Sequence, residues 1–143
     1  MNTAEGLEQP CRTIRVLLVD DDEDFRSGLA AILRDDGHNV RECANAAEVP
    51  DADDLDDIEV LITDYEMPGQ DGCALADRFH EAHPHAPVVM VTGHRHCAAG
   101  PGAREFLRRL PKPLDYEELH ALIHALVQSF ASPPAADGNG DGL

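Results

Sequence analysis

Short apolar runs alternate along the chain with segments whose apolar residues recur at helical spacing. The strand-like runs are Ile14 to Val19, Asn39 to Glu42, Ile58 to Thr63, Pro87 to Val91 and a weaker run near Arg109 to Pro111. Strands that alternate with helical segments are typical of an α/β domain. The pattern therefore predicts one layered domain built on a parallel sheet.

Three helices have clear apolar faces and recognisable ends. The first is predicted to stop at the C-cap signal Asp36-Gly37, the second at His83-Pro84, and the third to begin at Asp115 as N-cap. Their faces are Phe25, Leu29, Ile32 and Leu33, then Leu75, Phe79 and Ala82, then Leu119, Leu122, Ile123, Leu126 and Phe130. Two further helices are weaker, because residues 45–57 contain Pro50 and several aspartates, and Gly100-Pro101-Gly102 interrupts the other.

The length of 143 residues fits one domain rather than two. The alternating pattern occupies residues 14–130. Residues 1–13 are polar, and residues 131–143 are rich in Pro, Ala, Gly and Asp without periodicity. We therefore predict a flexible N-terminal segment and a disordered C-terminal tail around the domain.

Composition narrows the classes of partner. Lys plus Arg total 11 against 28 Asp plus Glu, a formal net charge of -17, so a nucleic-acid backbone would be repelled. The apolar runs are strand-sized and the start lacks a signal segment, which predicts a cytoplasmic protein that does not enter a membrane. Four cysteines without a C-x-x-C pair predict reduced, packed thiols rather than a zinc or redox site.

Candidate chemistry follows the predicted strands. Asp20-Asp21-Asp22, Thr63-Asp64, Thr92-Gly93 and Lys112-Pro113 each stand where a strand ends. In an open α/β sheet the carboxyl ends of the strands form the ligand crevice. Converging carboxylates would repel one another unless a hard cation such as Mg²⁺ lay among them, and a hydroxyl and an ammonium would complete a phosphate site.

Two groups of residues that include histidines have spacings that could suit metal ligands. His94, His96 and Cys97 lie close in sequence, and His120 and His124 have the i, i+4 spacing of a helical ligand pair. Surface histidines account for both groups, so we predict no metal site there.

At the level of motifs, the chain resembles the receiver domains of two-component response regulators. The matching blocks are Val16 to Asp22, Leu61 to Gly72, Val88 to Gly93 and Pro111 to Pro113, in that order. The resemblance covers about residues 13 to 130. It implies a doubly wound five-stranded parallel sheet flanked by five helices, the flavodoxin-like receiver fold.

The resemblance also assigns roles to residues. Asp64 would be the phosphoacceptor, and Thr92 and Lys112 would hold the phosphoryl oxygens. Mg²⁺ would be bound by Asp21 and Asp64 directly, by Asp20 through water, and by the backbone carbonyl of Glu66. By contrast, we interpret Asp22 and Asp24 as residues of a solvated turn or a helix N-cap.

The chain departs from the family near its lysine. The aromatic residue that receivers carry three positions before the lysine is replaced by Arg109. We therefore predict that the response to phosphorylation is carried by residues 94–105 with their Gly100-Pro101-Gly102 hinge, and that Arg109 stays at the surface. Glu66 and His94 flank the phosphoryl site in the sequence, where they would tune dephosphorylation.

The resulting prediction is a single-domain response regulator, not an enzyme in its own right. A histidine kinase or phosphotransfer protein would phosphorylate Asp64, and the signal would pass through protein contacts or phosphorelay. Arg109 leaves open a binding module that works without phosphorylation. An aspartate-nucleophile phosphohydrolase is a further alternative, although Asp20, Asp22 and Asp24 lack the Thr or Val of its D-x-D-x-T or D-x-D-x-V motif.

Overall fold

A computed structural model describes residues 13–50, 57–67, 71–92 and 107–130 of the chain. Within these residues the elements are β1 (Arg15–Val19), α1 (Glu23–Asp35), β2 (Asn39–Cys43), a 3-10 helix (Ala46–Glu48), β3 (Val60–Thr63), α2 (Gly72–Ala82), β4 (Val88–Thr92), β5 (Leu107–Pro111) and α3 (Tyr116–Phe130). The five predicted strands are confirmed, with ends that differ by at most two residues.

The strands form one sheet in the order β2-β1-β3-β4-β5, and every neighbouring pair is parallel. The chain runs from β1 outward to β2 and then crosses back to β3 on the other side of β1. This reversal creates a crevice between the carboxyl ends of β1 and β3. The register Val19 opposite Thr63 brings those two ends level.

Helices cover both faces of the sheet. In β1, Val16 and Leu18 pack in a core with residues of α1 and α3. Leu17 and Val19 pack with residues of α2 on the other face. Because strand side chains alternate between faces, one apolar strand supplies both cores. The predicted doubly wound arrangement is confirmed.

The predicted helix ends are also confirmed. Asp36 is the C-cap of α1, and Gly37 follows it with a φ of 95°, a left-handed conformation that glycine adopts without strain. His83 is the C-cap of α2. The Asp115 carboxylate accepts hydrogen bonds from the N–H groups of Glu117 and Glu118 at the start of α3.

Two residues of the predicted apolar faces are exposed. Ile32 in α1 is 46% exposed, and Ala82 at the end of α2 also faces solvent. The reason in α1 is that the helix packs through Leu29, Ala30 and Leu33, which leaves Ile32 beside the contact row. The buried face of α1 is thus narrower than the sequence periodicity predicts.

Some predictions concern residues outside those described. In place of the weak second helix, the described residues contain a 3-10 helix, Ala46–Glu48, with Asn45 as its N-cap. The predicted fourth helix lies in residues 93–106, outside the described residues. Both terminal segments lie outside the described residues, so the domain limits remain predictions. Among the described helices none is long and apolar enough to cross a membrane.

The two cysteines within the described residues differ in whether they form a disulfide bond. Cys43 is a buried free thiol, as predicted. Cys73 is buried and disulfide-bonded, so the prediction of a reduced thiol is wrong at this position.

Candidate functional site

Four parallel strands deliver polar side chains to the same edge of the sheet. Asp20 and Asp21 follow β1, Asp64 follows β3, Thr92 ends β4 and Lys112 follows β5. One carboxylate oxygen from each of the three aspartates lies within 4.8 Å of the others. The structure therefore brings together the acidic residues that the sequence singled out.

Lys112 reaches across the crevice to two of these carboxylates. Its Nζ lies 3.2 Å from Oδ2 of Asp20 and 3.5 Å from Oδ2 of Asp64. The ammonium also lies over the ring of Phe25, 4.6 Å from the centroid, in cation–π geometry. The side chains of Asp20 and Asp64 are 2% and 12% exposed, so the charges meet where water screens them weakly.

Burial dominates the ionisation of this group. It raises the pKa of Asp20, and the nearby Asp64 charge adds to the rise, while the Asp22 amide and Lys112 oppose it. Burial lowers the pKa of Lys112, but the carboxylates of Asp20 and Asp64 outweigh that effect and leave the pKa raised. Lys112 is therefore a permanent cation, and one cation faces a cluster of three aspartates.

Local hydrogen bonds orient the carboxylates. Oδ1 of Asp20 accepts from the Asp22 amide at 2.9 Å, and Oδ1 of Asp64 accepts from the Tyr65 amide at 2.7 Å. In each case Oδ2 is the oxygen that faces Lys112. Asp22 itself accepts from the Phe25 amide as N-cap of α1, which confirms its structural interpretation.

Arg26 contributes a contact that sequence reasoning missed. Its Nη1 donates to the backbone carbonyl of Asp20 at 2.8 Å, and its Nε pairs with Glu42 at 3.2 Å. The arginine thereby anchors the end of β1 to α1 and β2. No sequence motif marks it, because the contact depends on how α1 packs beside β2.

Gly72 was likewise not identified as part of the site. Its amide donates to the Tyr65 carbonyl at 2.8 Å, and a Cβ at this position would overlap the carbonyl oxygen of Asp64. The start of α2 therefore lies directly against the peptide that carries Asp64. Glycine is the residue that permits this approach.

The other predicted site residues have simpler placements. Thr92 is buried and pairs with Pro111 of β5, which places it at the edge of the sheet where Asp64 lies. Glu66 is exposed in the segment after β3. Arg109 is exposed on β5, as predicted. His94 and residues 94–105, predicted to carry the response, lie outside the described residues.

This donor set suits a hard divalent cation. All ligands offered by the aspartates are oxygens, which Mg²⁺ prefers, and three carboxylates share the crevice with one ammonium. With a cation bound, the Asp64 carboxylate would still lie beside Lys112, at the end of the sheet where Thr92 also stands. The fold and the site suit a class of protein in which an aspartate accepts a phosphoryl group.

Replacing Asp20 should stabilise the protein in the absence of metal. We expect Asp20→Asn to raise the Tm in EDTA by a few degrees, because the amide removes a buried charge and can still accept from the Asp22 amide. The matched control is Asp21→Asn, since Asp21 is exposed and its neutralisation should raise the Tm less. Thermal unfolding of both variants is the measurement, and a lower Tm for Asp20→Asn would contradict the electrostatic account.

Comparison with known proteins agrees with this class. The family described as the response regulator receiver domain matches residues 16–124. The DNA-binding transcriptional regulator NtrC of Escherichia coli (strain K12) is 34% identical over 117 residues, which are 80% of this chain and 25% of NtrC. The receiver domain of the hybrid histidine kinase CckA is 32% identical with a TM-score of 0.68, over 80% of this chain and 99% of that one. NtrX from Brucella abortus, whose solved structure contains ADP, is 28% identical with a TM-score of 0.71, over 84% of this chain and 28% of that one.

The chain belongs to the response-regulator receiver-domain family, and the predicted receiver fold is confirmed. It spans about a quarter of the length of the curated relatives it matches. Receiver domains accept a phosphoryl group on an aspartate in two-component signalling, and they interact for this with a histidine kinase or phosphotransfer protein. They generally bind Mg²⁺ at an acidic cluster, and here Asp20, Asp21 and Asp64 form such a cluster.

Proposed function

We propose that this protein is a response regulator that accepts a phosphoryl group on Asp64. The donor is the phosphohistidine of a histidine kinase or of a phosphotransfer protein. The observation that carries the proposal is the contact between Lys112 and Oδ2 of Asp64 at the end of a central strand, 3.5 Å from nitrogen to oxygen. The net charge of -17 favours a protein rather than a nucleic acid as the downstream target.

Asp64 acts as the nucleophile. A carboxylate oxygen attacks phosphorus, the phosphorus–nitrogen bond to the donor histidine breaks, and the imidazole nitrogen keeps the electron pair. The Tyr65 amide holds Oδ1 of Asp64, which leaves Oδ2 as the attacking oxygen. The product is an acyl phosphate on Asp64.

Lys112 and Thr92 stabilise the charge that moves onto the phosphoryl oxygens. The ammonium of Lys112 already lies at Oδ2 of Asp64, so it can pair with a phosphoryl oxygen after only a small movement. The Thr92 hydroxyl donates a hydrogen bond to another oxygen. Asp20 keeps Lys112 in the crevice while this exchange of partners takes place.

Mg²⁺ would be held by the side chains of Asp21 and Asp64, by Asp20 through water, and by the backbone carbonyl of Glu66. When bound, it neutralises negative charge on the transferring group. Asp20 and Asp64 follow two adjacent strands, so both would contribute to the same site.

Stoichiometric labelling tests this proposal. Incubation with acetyl phosphate and Mg²⁺ should add one phosphoryl group per chain, and EDTA should prevent it. Intact-mass spectrometry gives the occupancy, and a phosphate-release assay gives the turnover. Many turnovers of a phosphomonoester substrate per chain would contradict the receiver function and favour a phosphohydrolase.

A binding module that works without phosphorylation is the second candidate. The observation in its favour is the exposed pair Arg108 and Arg109 on β5, two cations at the surface of an acidic protein. A partner recognised through this pair would bind Asp64→Asn as tightly as the parent protein. It would bind an Arg108→Ala, Arg109→Ala double variant less tightly.

A further inference from the structure

Three histidines converge at the edge of the sheet opposite the acidic site. His38 immediately precedes β2, and His120 and His124 lie one turn apart on α3. Because β2 is parallel to β1, His38 stands at the amino end of the strands, about 16 Å from their carboxyl ends. We call these three residues the histidine cluster, and it is separate from the phosphoryl site.

The three side chains approach one another through their Nε2 atoms. Nε2 of His38 lies 2.9 Å from Nε2 of His120, which in turn lies 3.2 Å from Nε2 of His124. The rings are tilted to one another by 51° to 86° rather than stacked. His38 is 4% exposed, and the other two are partly buried.

A single hydrogen bond accounts for only one of the two contacts at His120. A neutral imidazole nitrogen has either one hydrogen or one lone pair, yet Nε2 of His120 has two neighbouring nitrogens at hydrogen-bond distance. A tetrahedral Zn²⁺ bound by imidazoles at 2.0–2.1 Å would hold its nitrogens about 3.3 Å apart. The observed spacings are close to that value, so a shared cation explains the convergence better.

A carboxylate and a phenol adjoin the cluster. Oδ2 of Asp36 lies 4.0 Å from Nε2 of His120 and accepts a hydrogen bond from the hydroxyl of Tyr116 at 2.6 Å. The Tyr116 ring stacks on His120, with centroids 5.4 Å apart. Three imidazoles with a neighbouring carboxylate form a donor set that suits zinc and similar transition metals rather than Mg²⁺.

We propose that His38, His120 and His124 bind a divalent transition-metal ion of the zinc class, and that a water molecule completes the tetrahedron. Such an ion joins α3 to the turn between α1 and β2. It would stabilise the fold in proportion to its occupancy, independently of phosphorylation at Asp64.

One contact opposes metal binding. The Ile14 amide donates to Nδ1 of His38 at 3.0 Å, so in the metal-free protein His38 has its hydrogen on Nε2. Coordination through Nε2 requires the hydrogen on Nδ1, which then faces the Ile14 amide. We therefore expect His38 to be the weakest of the three imidazole ligands, and the Ile14 amide to lose its acceptor when metal binds.

Cobalt titration of the full chain tests the site. Co²⁺ should bind with one equivalent per chain and give the intense visible absorption of tetrahedral coordination, which Zn²⁺ should remove by displacement. His124→Ala and His120→Ala should weaken binding by at least about tenfold. The matched control is His85→Ala, because His85 is an exposed histidine outside the cluster and its loss should change nothing.

Two further measurements separate this site from the acidic one. Asp64→Asn should leave the tetrahedral absorption unchanged, and Zn²⁺ should raise the Tm of the parent protein but not of His124→Ala. The NMR signal of the Ile14 amide should shift on adding Zn²⁺. The proposal is overturned if Co²⁺ gives no tetrahedral absorption, if the absorption survives in the His120→Ala, His124→Ala double variant, or if Asp64→Asn abolishes it.

Discussion

Asparagine in place of Asp64 should abolish phosphorylation by acetyl phosphate and by a histidine kinase. The amide keeps the size of the side chain and can still accept from the Tyr65 amide, but it lacks the charged oxygen that attacks phosphorus. It also gives Lys112 a neutral neighbour in place of one of its two carboxylates. We expect no phosphorylated protein above background after hours of incubation.

Intact-mass spectrometry of the parent and of Asp64→Asn is the measurement. Asp35→Asn is the matched control, because Asp35 is an exposed aspartate at the last residue of α1 and should leave the yield unchanged. A circular dichroism spectrum equal to that of the parent shows that the variant is folded. Equal labelling of Asp64→Asn and the parent would refute Asp64 as the phosphoacceptor.

Alanine in place of Gly72 should destabilise the domain by about 2 kcal/mol or more, because its methyl group would overlap the carbonyl oxygen of Asp64. The atoms that the methyl group would meet belong to the backbone and not to a flexible side chain. The start of α2 or the peptide after β3 must therefore move. A loss of that size lowers the Tm by roughly 10 °C. It should also slow phosphorylation, since Asp64 is carried by the displaced peptide.

Gly28→Ala is the control for this substitution. Gly28 lies within α1, and a Cβ there would meet nothing within 4 Å. Because alanine favours helix over glycine, this variant should be about 0.5–1 kcal/mol more stable than the parent. Urea unfolding of both variants gives the comparison, and a Gly72→Ala protein as stable as the parent would show that the two backbones can separate freely.

The sheet was predictable because buried parallel strands are nearly continuous apolar runs. Val16 to Val19 and Val88 to Val91 are apolar at every position, since helices cover both sides of the sheet. Helix faces were predicted less well. Periodicity alone included Ile32, whereas the actual contact row of α1 runs through Leu29 and Leu33.

The acidic site was predictable for a topological reason. Residues that follow parallel strands meet at one edge, so Asp20, Asp64 and Lys112 could be grouped without knowledge of distances. Arg26 and Gly72 could not be found in this way. One acts through the packing of α1 against β2, and the other through contact between two backbones.

The histidine cluster is a further case in which packing, and not a sequence motif, brings the residues together. The spacing of His120 and His124 is that of a helical ligand pair, but the sequence alone favours two surface histidines. His38 lies 82 residues before His120, at a helix-to-strand turn that no metal-binding motif includes. The packing of α3 beside the turn that precedes β2 brings the third imidazole to the pair.

The chain has ten arginines and a single lysine, and that lysine is the one that bridges Asp20 and Asp64. Side-chain acylation by amine-directed reagents therefore has one target, which lies inside the phosphoryl site and is 29% exposed. The rate at which Lys112 is acylated reports how firmly the crevice holds its ammonium. A proteomic experiment on one peptide can therefore follow occupancy of the site, with the acyl group on Lys112 as its only label.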